Sequence, residues 1–167
     1  KVGWWVEFAN TPWYSSEFVP SLIDPIQISI KDQKTSIPIF AQLMPLLIFN
    51  ISRKSKGRVA QHDFDVVEYV HPHLTFGINS PRKAYKNDAV HRQKPGSLHH
   101  LAFKAASCEE VDALYEQLKA IGAEIVEAPR YFPQHGEKYY SLLFKDPGVI
   151  KFEIVLEERW FTSPLQP

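Results

Sequence analysis

Leu98-His99-His100-Leu101-Ala102-Phe103 and, further along, Ile150-Lys151-Phe152-Glu153-Ile154-Val155 decide how this chain is read. In each, apolar and polar side chains alternate with period two, the signature of a half-buried strand. Between them Ser107 stands three residues before Glu110, a capping box. Val111, Leu114, Tyr115, Leu118 and Ile121 then form the apolar stripe of a helix, which Gly122 ends. Residues 123–126 and 139–144 supply two more strands, and Asp146-Pro147-Gly148 a turn before the last one. Residues 97–157 therefore read as strand, helix, strand, strand, strand. If the first and last of these strands are neighbours, His100 and Glu153 face one cleft.

The preceding half follows the same plan. Ile26, Ile28 and Ile30 alternate with Gln27, Ser29 and Lys31, and Asp32 is placed to cap a helix through Ile37, Phe40, Ala41, Met44 and Leu47, with Pro38 expected to kink it or distort its first turn. Residues 46–51, 63–70 and 73–79 read as strands, and the polar, basic run 53–58 as a loop. A shift of 75 residues superposes the halves, setting Asp32 on Ser107 and Ile26, Ile28 and Ile30 on Leu101, Phe103 and Ala105. The pattern implies an α+β protein built from paired βαβββ modules, 24–79 and 97–157, whose sheets curve around a shared cleft.

Composition narrows the partners. A chain of 167 residues fits one compact unit. Its 19 basic and 19 acidic side chains cancel, leaving no global field to recruit nucleic acid or a membrane surface. A small molecule or another protein is expected instead. The mostly apolar run 37–51 holds two prolines and is shorter than the roughly 20 apolar residues of a membrane helix. Cys108 is the single cysteine, which fits a reducing, cytoplasmic setting. The chain starts at Lys1 and not at a methionine, so a preceding segment and any targeting signal on it are left open.

Residues 1–23 stand apart as an N-terminal arm. Trp4, Trp5, Trp13 and Tyr14 are costly to leave in water at about 25 cal/mol per Å² of apolar area, so the arm is expected to cover a sheet edge or subunit interface, or to act as a lid. Residues 80–96, with Pro81, Pro95 and five basic side chains against Asp88, read as a linker, either a solvated connection or a basic lip for an anionic ligand. Residues 158–167 form a C-terminal tail.

The second half resembles the vicinal oxygen chelate superfamily, which includes glyoxalase I, bleomycin-resistance proteins, fosfomycin-resistance enzymes and extradiol dioxygenases. The resemblance rests on residues 96–103, 109–115 with 122–125, 139–147 and 150–155. Residues 26–32 and 36–40 resemble the same module more weakly. Metal-dependent members commonly take one ligand from the first strand and one from the last strand of each module, which implies His100 and Glu153 in the second. In the first, the positions correspond to Pro25 and to Gly77 or Thr75, none of them a usual metal ligand. The family's four-ligand pattern is half present.

Strand parity leaves other groups open. Gln27 and Ser29 from the first strand, His71, His73 and Thr75 near the fourth, and Ala102 and Lys104 beside His100 are expected to face the cleft. His73 and Gln27 are candidate additional ligands for a divalent zinc, iron, nickel or manganese ion, since imidazole and oxygen donors suit these metals. Arg130, His135, Tyr139 and Tyr140 are ligand contacts at the cleft mouth, or else a polar hairpin tip with half-buried aromatics. Cys108 reads as a packing residue, and His62, His71 and His91 share no ligand spacing. No phosphate-binding glycine loop or serine nucleophile motif is present. Three functions follow: a glyoxalase- or bleomycin-resistance-like binder of a small molecule, a homodimer as many relatives are; a divalent-metal lyase, isomerase or dioxygenase acting through His100 and Glu153; and a degenerate interaction module using the tryptophan-rich arm.

Overall fold

The computed structural model describes residues 23–157; the arm over 1–22 and the tail over 158–167 lie outside the described residues. The first module runs β1 (Ile26–Ser29), α1 (Gln33–Leu46), β2 (Asn50–Val59), β3 (Phe64–His71) and β4 (Leu74–Asn79). The second runs β5 (Leu101–Lys104), α2 (Cys108–Ala120), β6 (Glu124–Tyr131), β7 (Tyr140–Lys145) and β8 (Lys151–Leu156). Each forms a four-stranded mixed sheet, in the orders β1-β4-β3-β2 and β5-β8-β7-β6. The α+β expectation of paired βαβββ units holds.

Both helices start where their caps lie. Asp32 accepts from the Lys34 N–H at 2.9 Å, and Ser107 accepts from the Glu110 N–H at 3.2 Å. Glu110 in turn reaches back to the Ala106 N–H at 2.6 Å, one residue before the cap. Such caps satisfy N–H groups that the first turn of a helix cannot pair. α1 continues through both Pro38 and Pro45. Its reversal into β2 passes through Ile48, a β-branched residue in the left-handed region at φ 64°.

Strand boundaries differ from the sequence reading: the second strand starts at Asn50 and not at residue 46, and β6 runs on to Tyr131, past the expected end at 126. The 53–58 run is not a loop: β2 spans ten residues and pairs antiparallel with β3 from Ser55↔Glu68 to Val59↔Phe64. An edge strand needs only one hydrogen-bonded neighbour, and exposed lysines and arginines there discourage pairing with another chain. β5 also starts later than the strand read from Leu98, so His99 and His100 lie just before it.

One core spans both modules. Phe40 of α1 packs edge-on against Phe152 of β8 with ring centroids 5.7 Å apart, and Phe76 of β4 meets Phe103 of β5 at 6.2 Å. Beside them the Ser36 hydroxyl donates to the buried Asp146 carboxylate at 2.7 Å, a polar tie from α1 to the β7–β8 turn.

Candidate functional site

The parallel pairing of first and last strands builds the site. Ala102 lies opposite Glu153 in β5–β8, and Gln27 lies opposite Gly77 in β1–β4. Gly77 thus holds the rung in the first sheet that Glu153 holds in the second. Phe152 and Ile154 enter the core on either side of Glu153, so period-two alternation turns its carboxylate to the opposite face.

Glu153 is only 5% exposed. The Tyr139 hydroxyl donates to its Oε1 at 2.8 Å, and His100 Nε2 lies 3.5 Å from its Oε2. The second contact is long for a hydrogen bond and becomes an ion pair only when His100 is protonated. His100 Nδ1 also lies 2.7 Å from His99 Nδ1, within hydrogen-bonding distance. Burial holds the His100 pKa below the ordinary imidazole value; the Glu153 carboxylate pulls it up, but His99, Lys151 and His135 add to the depression. At neutral pH His100 is therefore a neutral donor or acceptor beside a buried carboxylate. Together with the Tyr139 hydroxyl these groups can accept a proton from, or hydrogen-bond, a polar group lowered between His100 and Oε2.

The remaining candidates separate into distinct places. His135 packs beside Tyr139, with ring centroids 5.1 Å apart, at the edge of the same cluster. Gln27 accepts from the Asn79 amide at 3.3 Å, and with Ser29 it lines a groove of about 380 Å³ shared with linker residues. The Thr75 N–H donates to Asp24. His73 and Lys104 line another cavity, beside β5. Arg130 pairs with Glu127 at 3.3 Å and lies over the Phe132 ring. Tyr140 donates to Asp112 at 2.7 Å, which turns its hydroxyl onto α2. Cys108 sits 3.7 Å from the Tyr131 hydroxyl. The bond from Tyr139 to Glu153 is not readable from the sequence, although both residues stand out there as candidates.

Whether the site fits the divalent ion common in this type of fold is decided by its donors. Among the described residues no three His, Cys, Asp or Glu side chains are grouped to hold a metal. One Glu153 oxygen is engaged by Tyr139, and the rung equivalent to Glu153 is a glycine covered by the Gln27 side chain. A Cβ at Gly77 would lie 2.8 Å from Gln27 Cγ. Two donors from one chain do not make the family's four-ligand site.

The comparisons agree with this architecture. The model of the Glyoxalase/Bleomycin resistance protein/Dioxygenase superfamily matches residues 23–154. A 78-residue segment is 38% identical to the uncharacterized protein YqjT of Bacillus subtilis, covering 47% of this chain and 60% of that one. The chain thus spans about three fifths of the curated relative it matches. Among solved structures, a glyoxylase/bleomycin resistance protein/dioxygenase domain from Frankia sp. superposes with a TM-score of 0.64 at 20% identity, covering 80% of this chain and 95% of that one. A genomically encoded fosfomycin resistance protein, FosX, from Listeria monocytogenes gives 0.55 at 20% identity, covering 80% and 90%. No described helix is long and apolar enough to cross a membrane.

Proposed function

The chain belongs to the Glyoxalase/Bleomycin resistance protein/Dioxygenase superfamily, and from that premise we propose that it binds a small organic molecule in the cleft beside Glu153, with no metal ion required. The observation that carries the reading is the buried Glu153 carboxylate, held by Tyr139 on one oxygen and facing His100 on the other. A buried charge is expensive unless hydrogen-bonded, and a carboxylate whose second oxygen meets His100 across a long 3.5 Å contact offers a strong acceptor to a ligand N–H or O–H. His135 and Tyr139, which cluster with Glu153, are the proposed further contacts. The cleft is read as that of a homodimer in the cytoplasm.

A thermal-shift screen of aromatic and anionic compounds bearing hydroxyl or amine donors tests this. A ligand at 100 times its Kd adds about 2.7 kcal/mol and raises the melting temperature visibly. The expected result is a hit whose shift survives a chelator and disappears in Glu153→Gln. A hit abolished by the chelator favours the other reading, in which His100 and Glu153 hold a divalent ion completed by His73, Gln27 or a second chain.

A further inference from the structure

β1 is the edge strand of the first sheet, and the groove of about 380 Å³ beside it lies apart from the site at Glu153: none of Glu153, Tyr139 and His100 lines it. Gln27 and Ser29 of β1 face it together with linker residues 90–92 and 96–98. The linker is tied down on the way. Lys31, between β1 and α1, donates from Nζ to Asp88 O at 2.6 Å, and Lys94 Nζ donates to Ala89 O at 2.6 Å. The Ser97 hydroxyl lies 2.8 Å from Lys94 O and 3.0 Å from His91 O. Two of the nearby lysine charges are thus spent on backbone carbonyls, and the groove has a wall of folded chain.

The charge on the lining has one sign. Among the described residues no Asp or Glu lines the groove, and nothing pairs with the Arg92 guanidinium that does. The neutral polar groups beside it are donors as well. His91 Nδ1 accepts from the Gln93 N–H at 3.3 Å, which places the ring proton of the neutral tautomer on Nε2. Gln27 Oε1 is taken by the Asn79 amide at 3.3 Å, which leaves Nε2 as the end of that side chain able to bond a ligand, and the exposed Ser29 adds a hydroxyl. The same groove gathers Val90, Leu98 and Val149, at 42%, 43% and 49% exposure three of the nine large hydrophobics exposed among the described residues. Val149 is held in the left-handed region at φ 67°, costly for a β-branched residue, and strained residues of this kind concentrate at ligand clamps.

We propose that this groove is a second ligand site, taking a carboxylate on a compact apolar body: the carboxylate meets Arg92, with Gln27, Ser29 and His91 as neutral donors, and the body lies against Val90, Leu98 and Val149. Of the two expectations for residues 80–96, a solvated connection and a basic lip for an anionic ligand, the proposal takes the second. Guanidinium and carboxylate match as planar forks, and one unpaired cation suits a monoanion better than a doubly charged phosphate. Volume and lining resemble those of small-molecule sites, which are mostly apolar with a few placed polar groups.

Cinnamate is a suitable probe. Titrated into the full chain by calorimetry, with amide shifts followed by NMR, it should bind saturably at one site and move the resonances of Ser29, Arg92 and Leu98. Replacing the probe by uncharged cinnamamide, or the exposed Arg92 by glutamine (Arg92→Gln), should each weaken binding about tenfold. Val90→Asp, which sets a carboxylate on the groove wall, should abolish it. Lys83→Gln removes a basic side chain of the same linker that does not line the groove, and should leave affinity unchanged, as should Glu153→Gln. Absence of saturable binding overturns the proposal. So does wild-type affinity in Arg92→Gln, an equal loss in Lys83→Gln, equal affinity for the acid and its amide, or shifts centred on Tyr139 and Glu153.

Discussion

Gly77→Ala is the perturbation that most directly probes why the first module lacks the second's carboxylate. Gly77 is buried and its backbone lies outside the left-handed region, so alanine meets no conformational obstacle and would even reduce the freedom of the unfolded chain. What it meets is Gln27: the new Cβ would stand 2.8 Å from Cγ, 3.3 Å from Cδ and 3.4 Å from Nε2. Cγ is not the free end of the side chain, and Gln27 Oε1 is tied to Asn79. Relief requires a rotamer change that breaks this bond, so overpacking plus a lost partly buried hydrogen bond should destabilise the fold by about 1–3 kcal/mol. In a Gln27→Ala background the obstacle is gone, and Gly77→Ala should cost under about 0.5 kcal/mol, leaving a coupling energy of about 1–2 kcal/mol. Urea denaturation of the four proteins of the cycle measures this. Additive effects of the two substitutions would refute the claim that Gln27 occupies the space of the missing carboxylate.

Other predictions rest on single contacts. Tyr139→Phe removes the donor to a buried carboxylate and should destabilise the protein by about 1.5–3 kcal/mol by urea denaturation; a change within experimental error would contradict the observed bond. Ser36→Ala should have a cost in the same range, because it strips a donor from the buried Asp146 across the two modules, and a neutral result would mean that this tie does not stabilise the fold. His100 should titrate by NMR with a midpoint below the ordinary imidazole value. In Glu153→Gln the midpoint should fall further, since the carboxylate is the group that raises it; an upward shift would contradict an attraction between the two side chains. Because the folded pKa is depressed, this histidine's contribution to stability is fully present above the unfolded pKa of about 6.5 and is lost as pH falls through the folded value.

Much of the fold is legible in the sequence because its signals are local. Asp32 and Ser107 mark helix starts through bonds within three residues, and the alternation around Phe152 and Ile154 states which face of β8 is buried. The repeat adds the comparison of Glu153 with Gly77, which the strand register supports. β2 escapes such a reading because its side chains are mostly exposed and its order comes from pairing with β3. The bond between Tyr139 and Glu153, and the turning of Tyr140 onto Asp112, depend on where β7 begins in its sheet, which no periodicity specifies. The cavity beside β5 is likewise assembled from helix ends and turns of both modules.

The central claim is that Glu153 serves the cleft as a hydrogen-bonded carboxylate and not as one ligand of a metal centre. Elemental analysis of protein purified without chelator and then equilibrated with zinc, nickel, manganese or ferrous ion, in wild type and His100→Ala, tests it most directly. Substoichiometric metal in both proteins is the expected result. Stoichiometric metal in the wild type that is lost in His100→Ala would contradict it.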